Sequence, residues 1–310
     1  MQRTKLSHRA PICRIINRTG VNESLGGYSY GMESVSELKI EQDEGSPSVE
    51  PVSRSSVNEA AIILAVIVAL AAFMVLPRTV AVWIVWVTAF LAVLAIVTRS
   101  VQAIHISLFS LLWIGLPFVF SVLHFYPLTL LVPLVVYGIT TAAFPSLRHS
   151  MRWLRAGKLN SDALVLVLAT AVVSGLGLVG WYLLLKPDIS PHLAQMPKLS
   201  VWALPFVAVG FALLNAAMEE FVFRGIVMQS LDSAVGVGYA SITIQAILFG
   251  LFHYVAGFPN GALGLVMACV FGFMLGALRR RSEGLLAAWM AHVLADIVIF
   301  AIRAIILVAG

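Results

Sequence analysis

Ionisable side chains occur inside three apolar stretches in the second half of the chain. The first stretch contains the segment NAAMEEFVFRG, with Glu219, Glu220 and Arg224. The later stretches contain the following polar residues: Gln245, His253, His292, Asp296 and Arg303. A charge near the centre of a bilayer costs on the order of 2.5–3.5 kcal/mol on insertion scales, so such residues mark functional sites. Carboxylates and imidazoles transfer protons near neutral pH, and the pattern therefore predicts general acid–base chemistry inside a membrane.

Glu219 and Glu220 are neighbours in the chain, but the sequence predicts different surroundings for them. Glu220 and Arg224 are four residues apart, so on a helix they can form an ion pair. Glu219 is rotated by roughly 100° from Glu220, on a face with Phe223 and without a cation of its own. We therefore expect Glu219 to be the general base and the Glu220–Arg224 pair to support it.

Two further pairs of side chains share a helix face. Phe249 and His253 are four residues apart, and so are His292 and Asp296. Three helix faces are therefore predicted to surround one water-filled pocket, provided that the helices carry these residues at the same depth.

The composition is that of an integral membrane protein. Of the 310 residues, 60% are hydrophobic and 11% are charged, and the mean hydropathy is +0.95. A soluble domain has roughly 45–50% apolar and 25% charged residues. The net charge is +5, but Lys and Arg fall in short clusters between apolar runs. We interpret these clusters as a topology signal and expect no nucleic-acid partner.

The fold class predicted is all-α, a polytopic bundle of about eight or nine transmembrane helices, each needing about 20 residues. The runs lie at residues 59–76, 79–98, 103–123, 127–145, 162–185, 200–231, 239–256, 261–278 and 284–308. Only Arg99 and Ser100 separate the second run from the third, and eight spans is therefore the alternative.

Loop charges predict the orientation, because Lys and Arg accumulate on the cytoplasmic side. The basic residues that indicate cytoplasmic loops are Arg148, Arg152, Arg155 and Lys158, followed four spans later by Arg279, Arg280 and Arg281. The N-terminus is then cytoplasmic. At about 1.5 Å per residue, Glu219, His253, His292 and Asp296 lie roughly 12–20 Å from the cytoplasmic ends of their helices. This common depth satisfies the condition for a shared pocket.

Three regions are predicted along the chain. Residues 1–57 form a disordered cytoplasmic tail, because segments such as ELKIEQDEGSPSVEPVSRSS contain too little apolar surface to fold alone. Met32 is an alternative start within it. Residues 58–159 form N-terminal transmembrane helices, and residues 160–310 contain all the residues of the predicted site.

These residues resemble a known family of intramembrane endopeptidases, the CAAX protease and bacteriocin-processing family, also called the Abi family. Three motifs occur in order, each in its own apolar run: EExxxR at Glu219, Glu220 and Arg224, FxxxH at Phe249 and His253, and HxxxD at His292 and Asp296. The family includes the eukaryotic Ras-converting CAAX protease and many bacterial members. The resemblance covers roughly residues 160–308.

The resemblance implies a role for each motif residue. Glu219 would activate the attacking water, and His253 would help to hold it. His292 and Asp296 would stabilise the oxyanion, with Glu220, Arg224 and Phe249 as supporting residues. The eukaryotic CAAX proteases have Asn at the position of Asp296, and an ionised carboxylate cannot donate a hydrogen bond. Asp296 is therefore either protonated or orients His292, which then donates alone.

Two other functions remain open. One is a zinc-dependent protease with Glu219, His253 and His292 as metal ligands around one open position. The favoured glutamic mechanism needs no cofactor. The other is a non-catalytic membrane protein, such as a scaffold, an immunity factor or a carrier that uses the carboxylates as a proton relay. The apolar runs contain neither an HExxH zinc motif nor a GxSxG serine elbow.

Simpler structural interpretations compete at single positions. The Glu–Arg cluster could be a salt bridge that joins helices, and His292–Asp296 a packing hydrogen bond. His253 with Tyr254 could lie at the membrane interface. His105, outside the resemblance, is predicted to be a hydrogen-bonded core histidine, and Arg303 to snorkel or to pair.

The expected partners are the lipid bilayer and a protein or peptide substrate at the membrane. The resemblance implies a membrane-associated substrate, such as a prenylated or a bacteriocin-like protein. The multi-span chain ends in VAG without an organelle-retention signal, so we expect it in a bacterial inner membrane.

Overall fold

A computed structural model describes residues 54–193, 200 and 202–309 of the chain. The predicted tail, residues 1–57, lies outside the described residues except for its last four, which begin the first helix. The described residues form one compact unit. The division of this unit at residues 159 and 160 stays a prediction.

All regular structure in the described residues is helical. In chain order, the helices are α1 (Arg54–Val75), α2 (Arg78–Val97), α3 (Val101–Val119), α4 (Leu128–Ala143), α5 (Pro145–Ser150), α6 (Ser161–Leu185), α7 (Ser190–Leu193), α8 (Leu204–Glu219), α9 (Met228–Val235), α10 (Tyr239–Ala256), α11 (Gly261–Ser282) and α12 (Leu286–Ala309). A 3₁₀ turn at Ser121–His124 follows α3, and a π-helical segment at Glu220–Val227 joins α8 to α9.

The predicted bundle is confirmed in the described residues. Seven helical stretches are long and apolar enough to cross a membrane, and Leu204–Val235 counts as one of them. The two remaining apolar helices, α4 and α10, are shorter. Each of the nine predicted runs corresponds to one of these stretches. The chain turns at Arg99 and Ser100, so α2 and α3 are separate helices rather than one long span.

Small residues let α10 and α11 approach closely. Gly264, Ala268, Gly272 and Gly276 recur every four residues, so they lie on one face of α11. Such faces are typical of tightly packed membrane helices. Gly250 on α10 packs closely against α11 beside this face. A Cβ atom there would lie 2.2 Å from Cys269 Sγ and 2.7 Å from the Leu265 carbonyl oxygen.

We expect Gly250→Ala to lower the free energy of unfolding by about 1–3 kcal/mol, the range for overpacking. The Leu265 carbonyl belongs to the helix backbone and cannot move away without a shift of α11. Gly210→Ala is the matched control, because a Cβ at this helical glycine meets nothing within 4 Å. Thermal unfolding in detergent compares the two variants. Equal effects would show that close packing of α10 on α11 is unimportant.

A backbone clasp connects the loop before α6 to the loop before α12. Residues 155–158 and 282–286 form three backbone hydrogen bonds of 2.7–3.0 Å. Gly157 has φ +85°, and a Cβ there would lie 2.4 Å from the Ser282 carbonyl oxygen. The Lys158 ammonium lies 2.8 Å from Glu283, and its hydrogen bond holds the pKa of that carboxyl below its ordinary value. The clasp fixes the start of the helix that carries His292 and Asp296.

Candidate active site

The EExxxR motif lies where an α-helix changes into a π-helix. Glu219 is the last residue of α8, and Glu220 begins the π-helical segment. The sequence prediction assumed regular α-helical spacing through this stretch, and that assumption was wrong. π-Helical turns inside α-helices are rare and are frequent at functional sites. Here they allow both neighbouring carboxylates to reach the same partner, His292 on α12.

His292 lies at the centre of a buried cluster of acids. Its Nδ1 atom is 2.8 Å from Glu220 Oε1. Its Nε2 atom is 3.6 Å from Glu219 Oε2 and 3.8 Å from Asp296 Oδ1. All four side chains are buried, Glu219 with 4% of its surface exposed and Asp296 with 6%. Glu219 thus has a basic neighbour, His292. This neighbour lies on a different helix, so the spacing along α8 could not predict it.

The predicted ion pair between Glu220 and Arg224 is present. Arg224 Nη1 lies 3.1 Å from Glu220 Oε1, and both side chains are completely buried. The guanidinium carbon lies 4.3 Å from the centre of the Phe249 ring, a cation–π geometry. Arg224 Nη2 donates to the Gly272 carbonyl at 3.4 Å. Glu220 therefore has two partners and connects the cation on its own segment to the histidine on α12.

Phe249 and His253 form the α10 side of the site. Phe249 is fully buried and makes edge-on contacts with Phe223 and with His292, at ring separations of 5.0 and 6.0 Å. His253 Nδ1 bonds the Phe249 carbonyl oxygen at 2.9 Å, which leaves Nε2 as its second polar atom. His253 is half-buried, whereas its neighbour Tyr254 is exposed.

A cavity of about 270 Å³ brings three of the predicted site residues together. His253, His292 and Asp296 contribute to its wall. The remaining wall is mainly apolar and includes Val173, Leu178, Met267, Phe271, Met274 and Ile299. Glu219 is not among the described residues that line the cavity. Its carboxylate approaches the cavity wall at His292 Nε2.

Sequence reasoning missed two residues of this cluster. Asn215 Nδ2 donates to Asp296 Oδ2 at 2.8 Å, and the Tyr126 hydroxyl donates to Asn215 Oδ1. Asn215 lies one turn before Glu219 in an apolar run, and this spacing was a signal that could have been used. Tyr126 lies in the connection between α3 and α4, and no local pattern relates it to the site.

Two polar residues outside the three motifs, His105 and Arg303, have the surroundings that were predicted for them. His105 is buried, with Nδ1 2.6 Å from the Tyr137 hydroxyl and Nε2 2.7 Å from Ser150 Oγ, so it is a hydrogen-bonded core histidine. Arg303 donates to the backbone carbonyl of His192, so it is paired.

The zinc alternative concerns Glu219, His253 and His292. Among the described residues, no group of three or more His, Cys, Asp or Glu side chains has the spacing of a metal site. The choice between a glutamic and a metal mechanism remains open, and chelation tests it.

The fold and the site together define an integral membrane protein with a buried cluster of Glu, His and Asp inside a helical bundle. Residues 201–298 match the family model described as Rce1-like, type II CAAX prenyl endopeptidase. The match contains all seven motif residues and confirms the resemblance over this segment, which is less than half of the chain. It indicates a CAAX-type intramembrane protease. No curated protein and no solved structure matches the chain.

Proposed function

We propose that the chain is an intramembrane endopeptidase in which Glu219 activates a water molecule for attack on a peptide bond. The observation that carries this proposal is the approach of Glu219 Oε2 and Asp296 Oδ1 to His292 Nε2, at 3.6 and 3.8 Å, on the wall of an apolar cavity. Peptide hydrolysis needs a base for the water, a donor for the oxyanion and a proton for the leaving amine.

Glu219 is suited to the role of base. Its Oε2 atom is buried and has no hydrogen-bond partner among the described residues. The 3.6 Å separation from His292 Nε2 is too long for a direct hydrogen bond, so Oε2 remains available to accept a hydrogen bond from a water molecule. Glu219 takes a proton from this water while the water oxygen bonds to the carbonyl carbon of the peptide bond. The carbon–nitrogen bond then breaks, and Glu219 returns the proton to the amine.

His292 is suited to stabilise the oxyanion. A carboxylate only accepts, so the contact with Glu220 places a proton on His292 Nδ1 and fixes the ring. Nε2 lies beside Asp296, which also lines the cavity, and it can donate to a developing oxyanion only when the ring carries a second proton. The three acids around the ring, Glu219, Glu220 and Asp296, favour this doubly protonated form. His253 supplies the second imidazole and helps to hold the water. Asp296 accepts a hydrogen bond from Asn215, so we assign it the positioning of His292 rather than donation to the oxyanion.

The cavity favours a substrate that brings an apolar segment beside the scissile bond. Its wall is mainly aliphatic, aromatic and methionine side chains. The description of the matching family model names a prenyl endopeptidase. We propose a membrane-associated protein or peptide substrate, with prenylated and bacteriocin-like peptides as the two classes to compare.

Cleavage of a fluorogenic peptide library by the purified protein in detergent tests the proposal. The library includes matched prenylated and unmodified peptides, and Glu219→Gln is the inactive counterpart. Activity that survives a strong chelator and is lost in Glu219→Gln is the expected result. Loss of activity on chelation, with recovery on addition of zinc, would favour the metal alternative. Absence of product from the wild type would favour a non-catalytic membrane protein.

We further propose that the protein lies in a bacterial inner membrane with its N-terminus in the cytoplasm. In a background that lacks Cys13 and Cys269, Lys186→Cys and Arg281→Cys introduce single thiols at exposed sites on opposite ends of the bundle. A membrane-impermeant maleimide is expected to label the thiol at 186 in intact bacterial cells. The thiol at 281 is expected to react only after permeabilisation. The reverse pattern would invert the orientation.

A further inference from the structure

The connection between α3 and α4 reaches the candidate active site. The Tyr126 hydroxyl donates to Asn215 Oδ1, and it also lies close to the Glu219 carboxylate. Asn215 in turn donates to Asp296, whose other oxygen is 3.8 Å from His292 Nε2. A series of polar contacts therefore runs from a loop outside the family match to the imidazole at the centre of the acid cluster, and its last contact, at 3.8 Å, is longer than a hydrogen bond.

This loop is mostly exposed, and the length of α4 explains why it lies level with the site rather than at the far membrane surface. With 16 residues, α4 spans about 24 Å, less than the hydrocarbon thickness of about 30 Å. The chain therefore turns before it reaches the far surface. The turn consists of the 3₁₀ segment Ser121–His124 and residues 125–127. Tyr126 is packed against Phe211 on α8, with ring centres 6.3 Å apart.

The donors and acceptors in this chain have only one consistent arrangement. The amide oxygen of Asn215 can only accept, so the Tyr126 hydroxyl is the donor. The amide nitrogen can only donate, and the Asp296 carboxylate accepts from it. Without the tyrosine hydroxyl, the amide oxygen loses the donor that holds it, and the Asn215 side chain is less restrained beside Asp296. Tyr126 thus helps to hold Asn215 in the position from which its amide nitrogen donates to Asp296.

We propose that Tyr126 is a positioning residue of the active site, contributed by the N-terminal helices and acting through Asn215 on Asp296 and His292. The proposal rests on the proposed protease function. It assigns to the N-terminal half of the bundle a direct part in the geometry of the site. The segment that matches the family model would then be incomplete without the preceding helices.

Tyr126→Phe tests this proposal, because it removes the hydroxyl and keeps the ring against Phe211. We expect kcat to fall about tenfold with KM unchanged, since the hydroxyl orients the reacting groups and does not bind substrate. The pH at which kcat is half-maximal is expected to shift, which a purely structural loss would not produce. Tyr239→Phe is the matched control, because that tyrosine is 76% exposed and lies away from the site.

A second variant makes the test independent of folding defects. In an Asn215→Leu background, Tyr126→Phe is expected to have no further effect on kcat, because both residues act through one chain. The same pair is expected to be non-additive in thermal unfolding. This second measurement needs no activity.

The outcomes separate the two proposals. If wild type cleaves, Glu219→Gln does not, and Tyr126→Phe matches wild type in kcat and pH profile, the role of Tyr126 is overturned and the protease function stands. If wild type cleaves nothing, the protease function fails. Additive unfolding effects of Tyr126→Phe and Asn215→Leu would then overturn the positioning chain as well, whereas coupled effects would support the contact.

Discussion

Glu219→Gln is expected to lower kcat by about 10²- to 10⁴-fold, the usual contribution of a general base. Glutamine has almost the same shape as glutamate but cannot take the proton of the attacking water. Stability is expected to change little, because Glu219 lies in a cluster with two other acids, Glu220 and Asp296. Removing one negative charge from this buried group relieves repulsion as well as removing an attraction. Peptide cleavage and thermal unfolding in detergent measure the two effects.

Glu283→Gln is the control for the loss of a carboxylate. Glu283 is exposed, and its partner is Lys158 in the clasp rather than a residue of the site. It is expected to keep the wild-type kcat. A Glu219→Gln enzyme that keeps more than a tenth of the wild-type kcat would exclude Glu219 as the base, and Glu220 or Asp296 would have to be tested in its place.

The helices and their chemistry were predictable because both depend on local sequence. Apolar runs of sufficient length predicted the helical bundle. Polar side chains within these runs predicted the position of the site. The pair Glu220 and Arg224 was predicted from its four-residue spacing, and it forms although this segment is π-helical rather than α-helical. Such a prediction concerns two nearby residues of one segment, so it survives a local change of helix type.

Contacts between helices were the part that sequence could not supply. The π-helical segment changes the directions of Glu219 and Glu220, and α-helical spacing could not show this. The bond from Glu220 to His292 depends on how α12 packs against α8. The Tyr126–Asn215 bond depends on a loop that turns short of the far membrane surface, a consequence of the short α4. These features follow from packing in three dimensions, which no spacing along one helix encodes.

Arg224→Met is expected to lower the free energy of unfolding by about 3–5 kcal/mol, the typical effect of breaking a buried ion pair. Both Arg224 and Glu220 have no exposed surface, so the remaining carboxylate cannot be solvated by water. Methionine retains a long, flexible side chain beside Phe249, which limits the loss of packing. Arg281→Met is the matched control, because its ion pair with Asp162 is about two-thirds exposed and separated by 4.0 Å. Exposed pairs contribute little, so this control is expected to unfold like wild type.

The double variant Glu220→Gln/Arg224→Met separates charge from packing. With the carboxylate also neutralised, no uncompensated charge remains in the pair, and stability is expected to recover in part. Recovery is incomplete, because Glu220 also bonds His292 Nδ1 and glutamine is a weaker acceptor for it. A double variant as unstable as Arg224→Met would show that the arginine acts through its contacts with Phe249 and Gly272. In that case the contacts of Arg224 with Phe249 on α10 and with Gly272 on α11, rather than the buried ion pair, would account for its effect on stability.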